Sequence, residues 1–142
     1  MFELDDCMAF ITSRSGKIFA EALERRLRQF DIGRTQWIAM HYINTCGPLV
    51  QCDLAELLGV KEPTVARMIQ KLEAEGYLEK SSSDGDRRRK FIALSEKGRK
   101  TYDRILPIVE QFKEDTVAGI SAEDLQTMKD VLAAMVENAR NE

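Results

Sequence analysis

The chain has 142 residues, the length of one ordinary domain, and the 44% of them that are apolar suffice for a core. No run of eighteen apolar residues occurs, so we expect no membrane-spanning helix. The net charge is −3, but residues 61–100 hold eleven Lys and Arg against seven Asp and Glu, which indicates a local anion-binding face.

Two amphipathic helices are predicted at the start of the chain. Residues 5–30 carry apolar side chains at three- and four-residue steps, the spacing of one helix face. These side chains are Phe10, Ile11, Ile18, Ala22, Leu23, Leu27 and Phe30. The segment Arg34–Thr45 is rich in large apolar side chains and predicts a second helix, which Gly47 and Pro48 close.

A short helix and a longer one are predicted next. The short helix covers Gln51–Leu58 and ends because Gly59 breaks it. Pro63 suits the first turn of the longer helix, where its missing N–H is not needed. We expect that helix to run to Glu75 and to stop at Gly76. Its apolar face consists of Val65, Ile69 and Leu72.

The polar stretch SSSDGDRRRK (Ser81–Lys90) predicts the turn of a β-hairpin. Residues 77–80 and 90–94 have the composition of strands and flank it on either side. Ser, Asp and Gly dominate the segment between the strands, and these residues favour turns. We therefore expect a two-stranded hairpin with a long, arginine-rich tip.

Two more helices are predicted after the hairpin. Ser95 is a suitable N-cap for the fifth helix, which Pro107 should kink or make irregular. Ser121 opens a motif that resembles a capping box and begins the sixth helix. The predicted order is thus four helices, a hairpin and two helices, which is a mainly α fold with a small β-hairpin.

Three positions in the third and fourth helices have the spacing of a helix-turn-helix. Ala55 is small where two helices would cross, Gly59 permits the positive φ of the turn, and Val65 would lock the second helix onto the first. An ordinary corner between two helices has the same features, so this spacing alone leaves both interpretations open. The hairpin favours DNA binding, because a recognition helix followed by an arginine-rich hairpin is the order of a winged helix.

These residues resemble the MarR family of bacterial transcriptional regulators, and within it the SlyA-like branch. The resemblance is carried by DLAELLGVKEPTVARMIQKLEAEGYLEK and SDGDRRRKFIALSEKG, which include Asp86-Arg87-Arg88 and Leu94–Gly98. It extends to Thr35–Ile43 and Gly119–Leu125. The chain departs from the family pattern at Val50, where a capping Thr is usual, so the start of the third helix should fray or be capped otherwise.

The resemblance implies a single MarR-type domain over residues 1–142. Residues of about 34–98 would form the winged helix-turn-helix that binds DNA, and residues of about 1–30 and 99–142 the dimerisation helices. The protein is then expected to be a homodimer that binds a pseudo-palindromic operator as a repressor. Small aromatic or phenolic ligands would release it. The apolar stripes of the terminal helices agree with dimerisation, although packing within one chain would also bury them.

The resemblance and the chemistry of the side chains together nominate DNA contacts. Thr64 and Arg67 match a Thr-x-x-Arg of the family, and Arg67 can bind a guanine or a phosphate. In the hairpin, Asp86 would orient Arg88 for insertion into the minor groove. The full predicted set is Gln51, Lys61, Pro63, Thr64, Arg67, Lys71, Asp86, Arg87, Arg88 and Arg89.

The resemblance also implies a pocket for a small aromatic carboxylate. The matching positions are Arg14, Lys17, Trp37 and His41, which combine cations, an aromatic wall and a titratable imidazole. Core packing of Trp37 and His41 is the alternative. Cys7 lies roughly where peroxide-sensing relatives carry a reactive thiol, but Asp5 and Asp6 beside it disfavour a thiolate, so a buried apolar role is the alternative there.

Other functions have less support in the sequence. The N-terminus does not resemble a signal peptide, and the odd set of three cysteines lacks metal-ligand spacing, so we expect a cytoplasmic protein with reduced thiols and no metal. One histidine and no Gly-rich phosphate loop leave no constellation for an enzyme or a cofactor. A helical module that binds protein rather than DNA remains the alternative from another class.

Overall fold

The computed structural model describes residues 1–83 and 86–141, and the side chains of residues 82, 83 and 86–89 lie outside that description. The described residues form six α-helices and two strands in the predicted order. They are α1 (Met8–Leu27), α2 (Arg34–Cys46), α3 (Gln51–Leu58), α4 (Glu62–Ala74), β1 (Leu78–Ser83), β2 (Asp86–Leu94), α5 (Glu96–Thr116) and α6 (Ala122–Arg140). The mainly helical winged-helix fold is thereby confirmed. Short 3-10 turns precede and follow α1.

The chain divides after Val109 into two compact units. All buried apolar side chains lie between Leu23 and Ile105, in the first unit. The largest fully buried ones are Leu27, Met40, Leu54, Val65, Ile69, Leu72, Ile92 and Ile105. The described residues of the second unit contain no buried side chain. Among the described residues, every helix is too short or too polar to cross a bilayer.

The hairpin is longer than its sequence predicts. Leu78 to Ser82 of β1 pair antiparallel with Leu94 to Lys90 of β2, the register shifts between Ser82 and Ser83, and Ser83 pairs with Asp86. The prediction of a long tip is therefore wrong, because strand pairing includes serines whose own β propensity is low. The predicted turn residues Asp84 and Gly85 lie outside the described residues.

A short backbone bridge attaches the start of α3 to the hairpin. The Leu49 N–H donates to the Ile92 carbonyl at 3.1 Å, and the Ile92 N–H donates to the Leu49 carbonyl at 2.7 Å. As predicted, Val50 provides no side-chain cap to α3. The bridge holds the chain one residue before that uncapped end, so tertiary pairing fixes the helix start in place of a local hydrogen bond.

Both predicted serine caps are confirmed. The Gly98 N–H donates to Ser95 Oγ at 3.0 Å at the start of α5, and the Asp124 N–H donates to Ser121 Oγ at 3.0 Å at the start of α6. Each cap satisfies one of the N–H groups that a helix leaves without a partner in its first turn. The helix α5 continues through Pro107.

Candidate nucleic-acid interface

The helices α3 and α4 meet as the helix-turn-helix spacing predicts. Ala55 is 5% exposed and Val65 is fully buried, so the small and the branched side chain both lie inside the core. Gly59 has a φ of +68°, the left-handed conformation that glycine adopts without strain. The Val60 N–H donates to the Ala55 carbonyl at 3.2 Å and closes the turn. The glycine turn and these two buried side chains thus pack one face of α4 against α3.

The two faces of α4 differ sharply in exposure. Val65, Ile69 and Leu72 are buried and anchor the helix, because each repeats after three or four residues. The predicted DNA contacts on this helix are all exposed, and they comprise Pro63, Thr64, Arg67 and Lys71, with Lys61 at the N-cap position. A helix whose apolar face is buried in the core and whose opposite face is polar and exposed can enter the major groove of DNA.

An open cleft joins the starts of α3 and α4 to both strands. It has a volume of about 410 Å³. Its lining consists of Val50, Gln51, Cys52, Glu62, Lys80, Lys90 and Ile92. The predicted contact Gln51 therefore lies near two strand lysines, Lys80 and Lys90, that were not predicted. They could not be found from the sequence, because only the register that pairs Lys80 with Ile92 and Ser82 with Lys90 puts both on the Ile92 face of the hairpin.

Acidic neighbours temper the positive charge of this region. Lys80 Nζ lies 4.0 Å from Glu73 Oε1, an exposed pair of small energetic weight. Lys71 lines a second cavity of about 330 Å³ together with Glu24 of α1 and Asp31, which follows the 3-10 turn after α1. Of the two predicted cations on α4, Lys71 lines the cavity with Glu24 and Asp31, whereas Arg67 belongs neither to that cavity nor to the pair with Glu73.

The predicted hairpin contacts lie on the second strand. Asp86, Arg87, Arg88 and Arg89 belong to β2, which starts within the hairpin that directly follows α4. Their side chains lie outside the described residues, so the orientation of each arginine stays a prediction. Position along the chain nevertheless agrees with a winged helix, since the hairpin follows α4 after only three residues, 75–77.

Two of the four predicted effector residues form an aromatic stack with Tyr102 of α5. The Trp37 ring lies 5.3 Å from that of Tyr102 at an angle of 3°, and 5.5 Å from that of His41. His41 Nδ1 and the Tyr102 hydroxyl are 2.7 Å apart and hydrogen-bonded. Trp37 is 6% exposed, yet its Nε1–H finds no acceptor in the described part of the chain.

The other two predicted effector residues are not joined to this stack. The Arg14 guanidinium lies 5.3 Å from the centre of the Phe10 ring, and both Arg14 and Lys17 are exposed on α1. No hydrogen bond or ion pair links either cation to Trp37 or His41 in the described residues. Sequence reasoning missed Tyr102 as a member of this cluster, since it lies sixty-one residues after its partner His41.

The three cysteines are free thiols at separate places. Cys7 is half-buried and immediately precedes α1, where its carbonyl accepts from the Ile11 N–H at 3.0 Å. Cys46 and Cys52 are exposed. Within residues 1–83 and 86–141, no three His, Cys, Asp or Glu side chains cluster as a metal would require.

Comparison with known proteins gives a consistent picture. The sequence model of the MarR family matches residues 30–89, the segment that includes α2, α3, α4 and most of the hairpin. A probable transcriptional regulator from Pseudomonas aeruginosa is 26% identical, with 94% of this chain and 99% of that chain covered and a TM-score of 0.83.

Two further solved structures are similar over nearly their whole length. S. aureus MepR, in a complex with DNA, is 25% identical, with 93% of this chain and 98% of that chain covered and a TM-score of 0.85. Bordetella bronchiseptica BpsR, whose DNA binding is regulated by 6-hydroxynicotinic acid, is 18% identical, with coverages of 96% and 97% and a TM-score of 0.86. The last likeness concerns the fold alone.

Proposed function

The chain belongs to the MarR family of transcriptional regulators, and we propose that it represses transcription as a homodimer bound to duplex DNA. One observation carries this proposal. The helix α4 is anchored by three buried side chains, exposes Thr64 and Arg67 on the opposite face, and is followed directly by a hairpin whose second strand carries three arginines. MepR, which has the same fold, was solved with DNA.

In this proposal the two elements contact different parts of the duplex. The helix α4 enters the major groove, where Arg67 donates two hydrogen bonds to a guanine or binds a phosphate. The hairpin reaches the adjacent minor groove, where the narrow groove over A·T-rich steps favours arginine, and we assign that role to Arg88. Gln51, Lys61 and Lys71 contact the backbone and fix the register, and we add Lys80 and Lys90 of the shared cleft.

The dimer is proposed from apolar side chains that one chain leaves exposed. On the N-terminal segment and α1 these are Met1, Phe2, Leu4, Met8, Ile18 and Phe19, and near or on α6 they are Ile120, Met128, Val131 and Val136. Exposed apolar side chains in such number mark an interface rather than a solvated surface. We therefore assign residues of about 1–30 and 99–142 to dimerisation and about 34–98 to DNA binding. Two-fold symmetry then requires a pseudo-palindromic operator.

A small aromatic carboxylate is proposed as the effector. The support is Trp37, whose buried Nε1–H has no acceptor among the described residues, since a buried donor without a partner costs about 1–3 kcal/mol and favours a ligand that supplies one. The carboxylate would need a cation, for which Arg14 and Lys17 are the candidates. BpsR, which is regulated by such a compound, shares only the fold.

The effector proposal has a direct test, because Trp37 is the only tryptophan of the chain. Fluorescence titration with 6-hydroxynicotinic acid should shift Trp37 emission and release bound DNA, and Arg14→Ala should weaken both effects. A matched titration with 2-hydroxypyridine, which lacks the carboxylate, should do neither. Equal responses to both compounds would refute recognition of a carboxylate.

A redox response through Cys7 is the second candidate for regulation. The described residues place no basic side chain in hydrogen-bonding or ion-pairing contact with Cys7, and thiolate reactivity depends on such a neighbour. The effector proposal is therefore favoured, and Cys7→Ser should leave DNA binding unchanged in the presence and absence of peroxide. We further propose that the protein acts in the cytoplasm, on DNA, without enzymatic activity or cofactor.

Genomic selection followed by footprinting tests the proposed function. Purified protein is mixed with fragmented genomic DNA, bound fragments are sequenced, and the protected bases are mapped. We expect a small set of promoter fragments with two related half-sites about one helical turn apart. Retention of no fragment would instead favour the alternative of a protein-binding module, and uniform retention of all fragments would refute recognition of a specific operator.

A further inference from the structure

The C-terminal end of α4 is bound by the first residues of α5. Lys97 Nζ donates to the Glu75 carbonyl at 2.6 Å and lies 4.6 Å from the centre of the Tyr77 ring. Ser95 Oγ donates to the Gly76 carbonyl, and the Ser95 N–H donates to the Tyr77 carbonyl at 3.0 Å. Three consecutive carbonyls, at residues 75, 76 and 77, thus accept hydrogen bonds from Ser95 and Lys97 at the start of α5.

Glycine at position 98 is what allows this close approach. Gly98 is buried, and a Cβ built on it would overlap the Tyr77 carbonyl oxygen. Its N–H donates to Ser95 Oγ, so the same hydroxyl caps α5 and binds the end of α4. Any side chain at this position would push the start of α5 away from the carbonyls that Ser95 and Lys97 bind.

We propose that Lys97, with Ser95 and Gly98, is a positioning residue for DNA binding, one that fixes the orientation of α4 without touching DNA. This inference rests on the proposed function. The last carbonyls of a helix lack partners within it and carry partial negative charge, so an ammonium group there forms a charge-assisted hydrogen bond. The ring of Tyr77 holds the same ammonium from a second side.

A small rotation about this end has a large effect at the other end of the helix. The thirteen residues of α4 span about 20 Å at 1.5 Å per residue. Thr64 lies about 16 Å from Glu75 along the axis, so a tilt of about 5° would move the exposed face around Thr64 by roughly 1.4 Å. A displacement of that size breaks a bidentate hydrogen bond to a base, whereas a lysine at a phosphate can follow it.

Lys97→Met tests the inference, with Lys100→Met as its matched control. Lys100 is 74% exposed on the same helix and pairs with Glu96 of that helix at 3.2 Å. We expect Lys97→Met to weaken binding to the selected operator duplex roughly tenfold. Binding to a scrambled duplex and the slope of affinity against salt should stay as in the wild type, and Lys97→Arg should restore most of the operator affinity.

Two results would overturn the inference while the proposed function stands. Operator affinity of Lys97→Met equal to that of Lys100→Met would show that the contact does not position α4. Equal losses on operator and scrambled duplex, with a shallower salt slope, would make Lys97 a phosphate contact instead. Amide hydrogen exchange gives a readout without DNA, since residues 75–77 should exchange faster in Lys97→Met and not in Lys100→Met. A wild-type chain that binds neither duplex would instead refute the proposed function itself.

Discussion

The two compact units of the chain differ in whether their apolar side chains are buried. Residues 1–109 contain every buried apolar side chain of the described residues, and these come from α1 to α5, both strands and the connecting segments. The described residues of the second unit contain none, although Met128, Val131 and Val136 are large and apolar. A core of its own can hold the first unit, which includes the proposed DNA contacts, in one conformation, whereas large apolar side chains of the second unit stay exposed in a single chain. This difference is the physical basis for proposing a dimer.

The largest expected effect is on the core of the first unit. Leu72 is fully buried, and Leu72→Ala should lower the free energy of unfolding by about 2–5 kcal/mol, through lost burial and the cavity that remains. Urea denaturation followed by circular dichroism measures the loss. Because Leu72 belongs to the core of one chain, the loss should not vary with protein concentration, and a concentration-dependent loss would contradict this.

The second prediction concerns the apolar surface of α6. Val131→Lys should raise the dissociation constant of the proposed dimer by roughly 30-fold, which is about 2 kcal/mol, since a charge would replace an exposed apolar side chain of the proposed interface. Sedimentation equilibrium measures it. Gln126→Lys adds the same charge at an exposed polar position of α6 and serves as the control. If both variants dissociate equally, or neither does, α6 does not dimerise through this face.

The third prediction separates DNA contact from dimerisation. Arg88→Ala should weaken operator binding by about 1–3 kcal/mol while the dimer stays intact, because it removes one cation from the groove. Fluorescence anisotropy at fixed moderate salt measures the change. Arg140→Ala, which removes the same charge from the end of α6, is the control. Unchanged affinity of Arg88→Ala would disprove the assignment of the hairpin as a wing.

The smallest expected effect is at the start of α6. Ser121→Ala removes the hydroxyl that accepts from the Asp124 N–H and should cost about 1 kcal/mol of stability. Thermal unfolding at a protein concentration that populates the dimer detects it. Ser121→Asp keeps an acceptor and should be close to the wild type, so a loss of the same size in both variants would speak against the cap.

Local chemistry made most of the fold predictable. Gly59 and Pro63 fix the end of α3 and the start of α4, so the limit predicted for the end of α3 agrees with the structure. Ser95 and Ser121 were identified as caps because a cap involves only residues three positions apart. The spacing of Ala55, Gly59 and Val65 was equally local. In each case the necessary residues lie within ten positions of one another along the chain.

Features that depend on distant residues were missed. The Leu49–Ile92 bridge and the Trp37–Tyr102 stack join residues more than forty positions apart, which no local pattern reveals. Serines 81–83 were predicted as a tip, since their strand conformation depends on a partner strand. Lys97 was part of a recognised family motif, but its contact with the Glu75 carbonyl follows only from how α5 approaches α4. Strand register and the packing of one helix against another can be read only from the three-dimensional structure.

The most direct test of the central claim is the salt dependence of binding to duplex DNA by the wild type and Arg67→Ala. Labelled operator duplex is titrated by fluorescence anisotropy over a series of NaCl concentrations. We predict that log affinity of the wild type falls linearly with log salt at a slope of about −5 or steeper, because several phosphates per dimer are neutralised. Arg67→Ala should bind about 1–3 kcal/mol more weakly. A flat salt dependence, with wild type and variant alike, would contradict the claim that α4 and the hairpin bind DNA.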